Sequence, residues 1–202
     1  MPKEEALTPL LEALRDLVSL LRAEQVAGIL VGGVAASLLG RPRLTRDVDA
    51  IVLLREERWE RFLSAAVRFG FAPRRPDTLA FARQARVLLL RHEPSGIEAD
   101  VVVAGLPFEE EAIGRAVWVD FAGARLPLPT VEDLVIMKAV ANRPRDLADI
   151  EALLDVQQNL DLRRVRRWVR EFSTASAMPH ILQDLEALLR QRRRKRKDET
   201  QG

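Results

Sequence analysis

The sequence contains no cysteine, which excludes a disulfide framework and any thiolate metal site. Histidine is nearly as scarce: His92 and His180 are the only two among 202 residues, and they lie far apart. A multi-histidine zinc centre is therefore not expected, and a catalytic metal would be a hard cation held by carboxylates. No apolar run reaches the roughly 20 residues of a membrane helix. The start, Met-Pro-Lys-Glu-Glu, lacks the basic beginning and apolar core of a signal peptide. A cytoplasmic protein without membrane contact is expected.

What is present describes a globular chain. Apolar residues make up 48% and charged residues 31%, and the length suits one ordinary domain with a smaller appendage. The net charge of +2 conceals an asymmetry. Residues 161–202 hold twelve Lys/Arg against six Asp/Glu, a balance of +6, which leaves −4 for residues 1–160. The basic end is a candidate for holding a polyanion, although cations at Arg190 to Lys197 also suit the end of a solvated helix.

Leu10, Leu11, Leu14, Leu17, Val18 and Leu21 recur at helical spacing, predicting an amphipathic first helix over 9–22. Residues 28–31 are a short apolar strand running into Gly32-Gly33, and Val34 to Leu39 a short helix stopped by Gly40 and Pro42. A strand over 47–54 and a helix over 56–69 follow, with no element assigned between Gly70 and residue 86. Strands at 86–91 and 97–103 flank Glu93-Pro-Ser-Gly96, a natural hairpin. A short helix at 107–115 precedes a second hairpin, 117–121 with 125–128. From Thr130 the pattern is helical, with Thr130 and Asp133 spaced as a capping box and Pro144 opening a further helix. This order predicts a mixed-sheet α/β (α+β) fold at 1–129 and a C-terminal helical subdomain at 130–202 ending in a basic tail.

Residues i and i+2 of a strand share a face, so Asp47 and Asp49 should aim at one site while Val48 turns into the core. Two carboxylates forced together on an apolar strand are costly unless a cation bridges them. Upstream, thirteen residues (34–46) separate the pair from Gly32-Gly33. Glycines at a strand-to-helix turn allow backbone N–H groups to approach a phosphate, and Thr45 and Arg46 could add a hydroxyl and a guanidinium.

Val31-Gly32-Gly33, the spacer and Asp47-Val48-Asp49-Ala50 resemble the signature of the DNA polymerase beta-like nucleotidyltransferase superfamily. The Thr and Arg before the acids resemble its small bacterial branch around AbiEii-type toxins and aminoglycoside adenylyltransferases. The resemblance covers roughly residues 28–155 and implies Mg²⁺-dependent transfer of NMP from an NTP to an acceptor hydroxyl, with release of pyrophosphate. Two Mg²⁺ ions, or Mn²⁺, would be bound by Asp47, Asp49 and a third carboxylate. Asp100 fits that third place, and Glu98, of the same strand parity, rivals it. The block from Glu132 to Ile150 resembles the late motif of this branch, in which Lys138 would contact the triphosphate. Asp146 would support Lys138 or an arginine, with Asp149 in a lesser part. Lys138 is expected to bury its stem and present its ammonium at a cleft.

The acceptor stays open at this point. A tRNA or protein acceptor, as for a toxin with an antitoxin partner, would use Arg163, Arg164, Arg166, Arg167 and Arg170, with Arg193 and Arg194 in the tail. A small-molecule adenylyltransferase would want an acidic pocket, for which Glu109, Glu110 and Glu111 are candidates, unless they form an exposed first helical turn. A non-catalytic nucleotide-binding or nucleic-acid-binding module with the same fold is the third reading. His92 is expected to be structural.

Overall fold

The computed structural model describes the backbone of residues 2–201 and the side chains of residues 8–194. Helix α1 (Pro2–Ala23) leads into strand β1 (Gly28–Leu30), helix α2 (Gly32–Leu39) and strand β2 (Asp47–Val52). A 3-10 turn at Glu56–Arg58 continues into α3 (Trp59–Val67), followed by β3 (Phe71–Pro73), α4 (Thr78–Ala85), β4 (Val87–His92) and β5 (Ile97–Val103). Next come α5 (Pro107–Gly114), β6 (Val117–Phe121) and β7 (Ala124–Leu128). Four helices close the chain: α6 (Val131–Ala141), α7 (Pro144–Val156), α8 (Leu162–Ala175) and α9 (His180–Gln201).

The chain divides into two compact units, one of residues 1–34 and 44–129, the other of residues 35–43 and 130–202. The first is built on a five-stranded sheet in the order β1-β2-β5-β4-β3. Only β2 and β5 run parallel, and every other neighbouring pair is antiparallel. Alternation sets the two faces of these strands. Val48, Ala50 and Val52 of β2 and Ala99 and Val101 of β5 are fully buried, while the residues between them are less so. The α1 side chains Leu14, Leu17 and Leu20 and the α3 side chain Phe62 are buried within the same unit. Strands β6 and β7 form a separate hairpin. It turns at Ala122 and Gly123, both at positive φ.

The mixed sheet and the helical C-terminal part agree with the sequence pattern. β3 and α4 are additions to it. β3 has three residues and ends on a proline, too short to show a period, and α4 buries only Thr78 and Ala82. The 3-10 turn also takes the first residues of what the pattern reads as one helix over 56–69.

The helical unit buries Leu134, Val135 and Ile136 of α6 with Ile150 and Leu153 of α7 and Val165 and Val169 of α8. Thr130 caps α6, its hydroxyl accepting from the Asp133 backbone N–H at 3.2 Å. The Asp133 carboxylate, fully buried, accepts from Arg164 at 2.7 Å. Arg164 therefore fastens α8 to α6 and is withdrawn from the set of arginines that could face a polyanion. No helix among the described residues is long and apolar enough to cross a membrane.

Candidate active site

Hydrogen bonding between β2 and β5 decides which acids meet. Their parallel register sets Asp47 opposite Glu98 and Asp49 opposite Asp100. All four carboxylates thus leave the sheet on one face, at the start of both strands, while Val48 and Ala99 fill the core on the other. Asp49 is half-buried and Asp47 exposed. The Thr45 hydroxyl donates to Asp47 Oδ1 at 2.8 Å, so Thr45 orients this acid.

Gly32 is required by the same arrangement. Its φ of +61° is disfavoured for an L side chain, and a Cβ there would lie 1.7 Å from Asp49 Oδ2. The turn is fixed from the other side by the Val31 N–H, which donates to the Asp49 carbonyl at 2.8 Å. Helix α2 begins at Gly32 and Gly33, placing beside the Asp49 carboxylate the N–H groups that a helix start leaves without an intrahelical acceptor. Arg46, next to Asp47, is exposed.

Asp100 has a second neighbour that sequence patterns do not reveal. Arg74 follows the short β3, donates its N–H to the Leu89 carbonyl, and reaches both Glu98 and Asp100 with its guanidinium. Burial pushes the Asp100 carboxyl above the usual carboxylate range, and the negative charges of Glu98 and Asp47 push the same way against Arg74. Asp100 and Glu98 share the face and the arginine, and only Asp100 lies opposite Asp49.

Among the described residues no three acidic or histidine side chains are already gathered closely enough to hold a metal ion. The chemistry of the nearby acids is nonetheless that of ligands for a hard divalent cation. Asp47, Asp49 and Asp100 offer hard oxygen atoms from adjacent strands, and the glycine at 32 puts no Cβ where the Asp49 carboxylate lies.

The Lys138 group occupies the helical unit. Its ammonium is buried rather than presented at a cleft, 2.9 Å from Asp146 and 2.8 Å from Asp149. Arg143 also donates to Asp146, and Arg43 donates to Asp149 through Nε at 2.8 Å and Nη2 at 3.0 Å. Burial alone would raise both carboxyls, but the hydrogen bonds from Arg143 and Lys138, and from Arg43 and Lys138, hold them below their ordinary value. Asp146 and Asp149 are thus equal partners in this network. The arginines that complete it, 43 and 143, carry no periodic signal.

The other candidates separate clearly. His92 is buried between Ser95 at 2.6 Å and Asp16 at 3.0 Å and packs against Phe71, a satisfied structural residue. Glu109 accepts from the Gly105 and Leu106 N–H groups and pairs with Arg86, so it serves the start of α5. On α8, Arg163, Arg167 and Arg170 are exposed, whereas Arg166 pairs with Glu186 at 2.6 Å. Arg193 and Arg194 are exposed, and the rest of the basic tail, Lys195 to Lys197, lies outside the residues whose side chains are described.

A family model described as "Nucleotidyl transferase AbiEii toxin, Type IV TA system" matches residues 13–201. Among solved structures, the chain is similar to an antigenic nucleotidyltransferase-like protein from Paracoccidioides brasiliensis. The identity is 14%, with 86% of this chain and 92% of that one covered at a TM-score of 0.55. It is similar also to the antibiotic-resistance factor ANT(2'')-Ia in solution, at 16% identity, 89% and 97% coverage and a TM-score of 0.57. A crystal structure of ANT(2'')-Ia in complex with adenylyl-2''-tobramycin matches at 14% identity, 80% and 95% coverage and a TM-score of 0.56. These likenesses establish the fold. No curated protein matches the sequence.

Proposed function

Since the chain belongs to the AbiEii nucleotidyltransferase toxin family and is thereby a nucleotidyltransferase, we propose that it moves NMP from an NTP to an acceptor hydroxyl at the Asp47–Asp49–Asp100 face. The observation that carries this reading is the register of β2 and β5, which sets Asp49 opposite Asp100 with Asp47 on the same face.

Mg²⁺ held by Asp47, Asp49 and Asp100 would neutralise phosphate charge and lower the proton affinity of the attacking hydroxyl. The acceptor oxygen bonds to the α-phosphorus, the bond from that phosphorus to the bridging oxygen breaks, and pyrophosphate leaves. Asp100, opposite Asp49 in the β2–β5 register, lies on the face where the acceptor hydroxyl gives up its proton. The N–H groups of Gly32 and Gly33 and the exposed Arg46 hold the phosphates in line. Thr45 keeps Asp47 oriented through its 2.8 Å hydrogen bond. In the helical unit, Asp146 and Asp149 hold the buried Lys138 in place.

For the acceptor we favour tRNA over a small molecule. The exposed Arg163, Arg167 and Arg170 lie on one helix and make no ion pair among the described residues. Glu109, which an acidic drug pocket would need, is engaged with Arg86. An antitoxin partner fits the family.

The test incubates the protein with Mg²⁺, each α-labelled NTP and tRNA, protein or aminoglycoside acceptors. The wild type should label tRNA, and Asp47→Asn should fall by at least about 100-fold with unchanged circular dichroism. Undiminished transfer by Asp47→Asn would sink the catalytic assignment, and label on an aminoglycoside alone would sink the acceptor.

A further inference from the structure

A second feature of the sheet-bearing unit lies away from these acids. The end of α1, β1 and the β6–β7 hairpin enclose an open cleft of about 390 Å³, within the range of about 300–1,000 Å³ typical of ligand pockets. Leu21, Val26, Ala27, Ile113, Ala116 and Pro127 give it an apolar floor. Its wall is Trp118, 47% exposed. The cleft opens beside Gly28, which pairs with Val52 at the far end of β2. Three to five residues of strand therefore separate it from Asp49 and Asp47, about 10–17 Å at about 3.3 Å per residue.

Two cations attend the indole. Arg22, in the last turn of α1, and Arg125, on β7, each place the guanidinium carbon 5.6 Å from the Trp118 ring centroid. Trp118, Asp120, Arg125 and Pro127 share one face of the hairpin, Trp118 opposite Pro127 and Asp120 opposite Arg125. Among the described residues neither Arg22 nor Arg125 makes an ion pair, even though Asp120 is Arg125's cross-strand neighbour. An exposed indole next to an apolar floor attracts a flat aromatic group, and two guanidiniums beside it attract anions. The cations come from separate elements, Arg22 lining the cleft and Arg125 on the hairpin beyond it, and the cleft is open, so a chain can run past the indole with an anion near each guanidinium. In a nucleic acid strand each planar base hangs from a sugar that carries a phosphate on either side.

We propose that this cleft binds one nucleotide unit of a single-stranded polynucleotide, its base against Trp118 and its flanking phosphates on Arg22 and Arg125. The site is separate from the transfer chemistry and holds whether or not a strand is also the acceptor.

The test measures fluorescence anisotropy of a labelled 12-nucleotide RNA, and of DNA of the same sequence, against the full-length Asp47→Asn protein in EDTA, without NTP. Failure of the catalytic reading leaves this measurement untouched. Trp118→Ala should weaken binding about tenfold, and Trp118→Phe should restore most of it. Arg22→Ala and Arg125→Ala should each flatten the slope of log affinity against log salt by about 0.7. No binding by the parent protein overturns the proposal, as does unchanged affinity in Trp118→Ala. Failure of a folded Trp118→Phe to restore binding, or slopes unmoved in both arginine variants, equally overturns it. A free mononucleotide or an acidic peptide that displaces the strand at equal concentration also counts against it.

Discussion

Gly32 is the residue on which the site depends most directly. Gly32→Ala must place its methyl on the Asp49 carboxylate and hold an alanine at φ +61°. The left-handed conformation alone costs about 1–2 kcal/mol. The variant should melt lower and lose transfer activity as Asp49 is displaced; calorimetry and the labelling assay report the two effects separately. Lys138→Met tests the other buried cluster. It leaves Asp146 and Asp149 to Arg143 and Arg43, and removing one partner of a buried pair costs about 3 kcal/mol or more. Urea unfolding should show a lowered midpoint at unchanged slope. Asp47, Asp49 and Gly32 were legible in the sequence because strand parity and a glycine turn leave local marks. Arg74 and Arg43 were not, because each reaches its acid across a gap in the chain that no local period spans.

At the scale of elements, the parallel pair β2–β5 converts two separate short patterns into one acidic face. Each strand alone shows only an acid entering an apolar run; the register decides which acids face each other, and register is a tertiary property. In the helical unit, the Lys138 network ties α6 to α7, and its two carboxyls lie below their ordinary value. Its contribution to stability is complete above the unfolded carboxylate range, about pH 4, and is lost as pH falls through the lower folded values. Melting followed downward from neutral pH should show that loss in the wild type. Asp146→Asn combined with Asp149→Asn should melt lower at neutral pH and respond less to acid. An equal acid response in the two proteins would count against the linkage. α4 and β3 escaped the sequence reading because α4 buries two side chains and β3 is three residues long.

Across the whole molecule, the charge asymmetry of the sequence survives folding only in part. Arg164 and Arg166 are spent on Asp133 and Glu186, leaving Arg163, Arg167 and Arg170 facing solvent on α8. Replacing those three with alanine should weaken tRNA binding and reduce its salt slope by about 0.9 for each duplex phosphate no longer neutralised. Gel-shift titrations across a salt series measure this, and an unchanged slope would place the tRNA on another surface. The sheet brings together acids that are synthesised at different times. Asp49 and Asp100 stand side by side but lie about fifty residues apart, on parallel strands that only a crossover can bring together. A chain still on the ribosome exposes Asp47 and Asp49 well before β5 emerges, and long-range pairing of this kind forms slowly. A nascent or prematurely terminated copy that stops short of β5 lacks Asp100, so on the proposed mechanism it has no complete acid set with which to transfer a nucleotide.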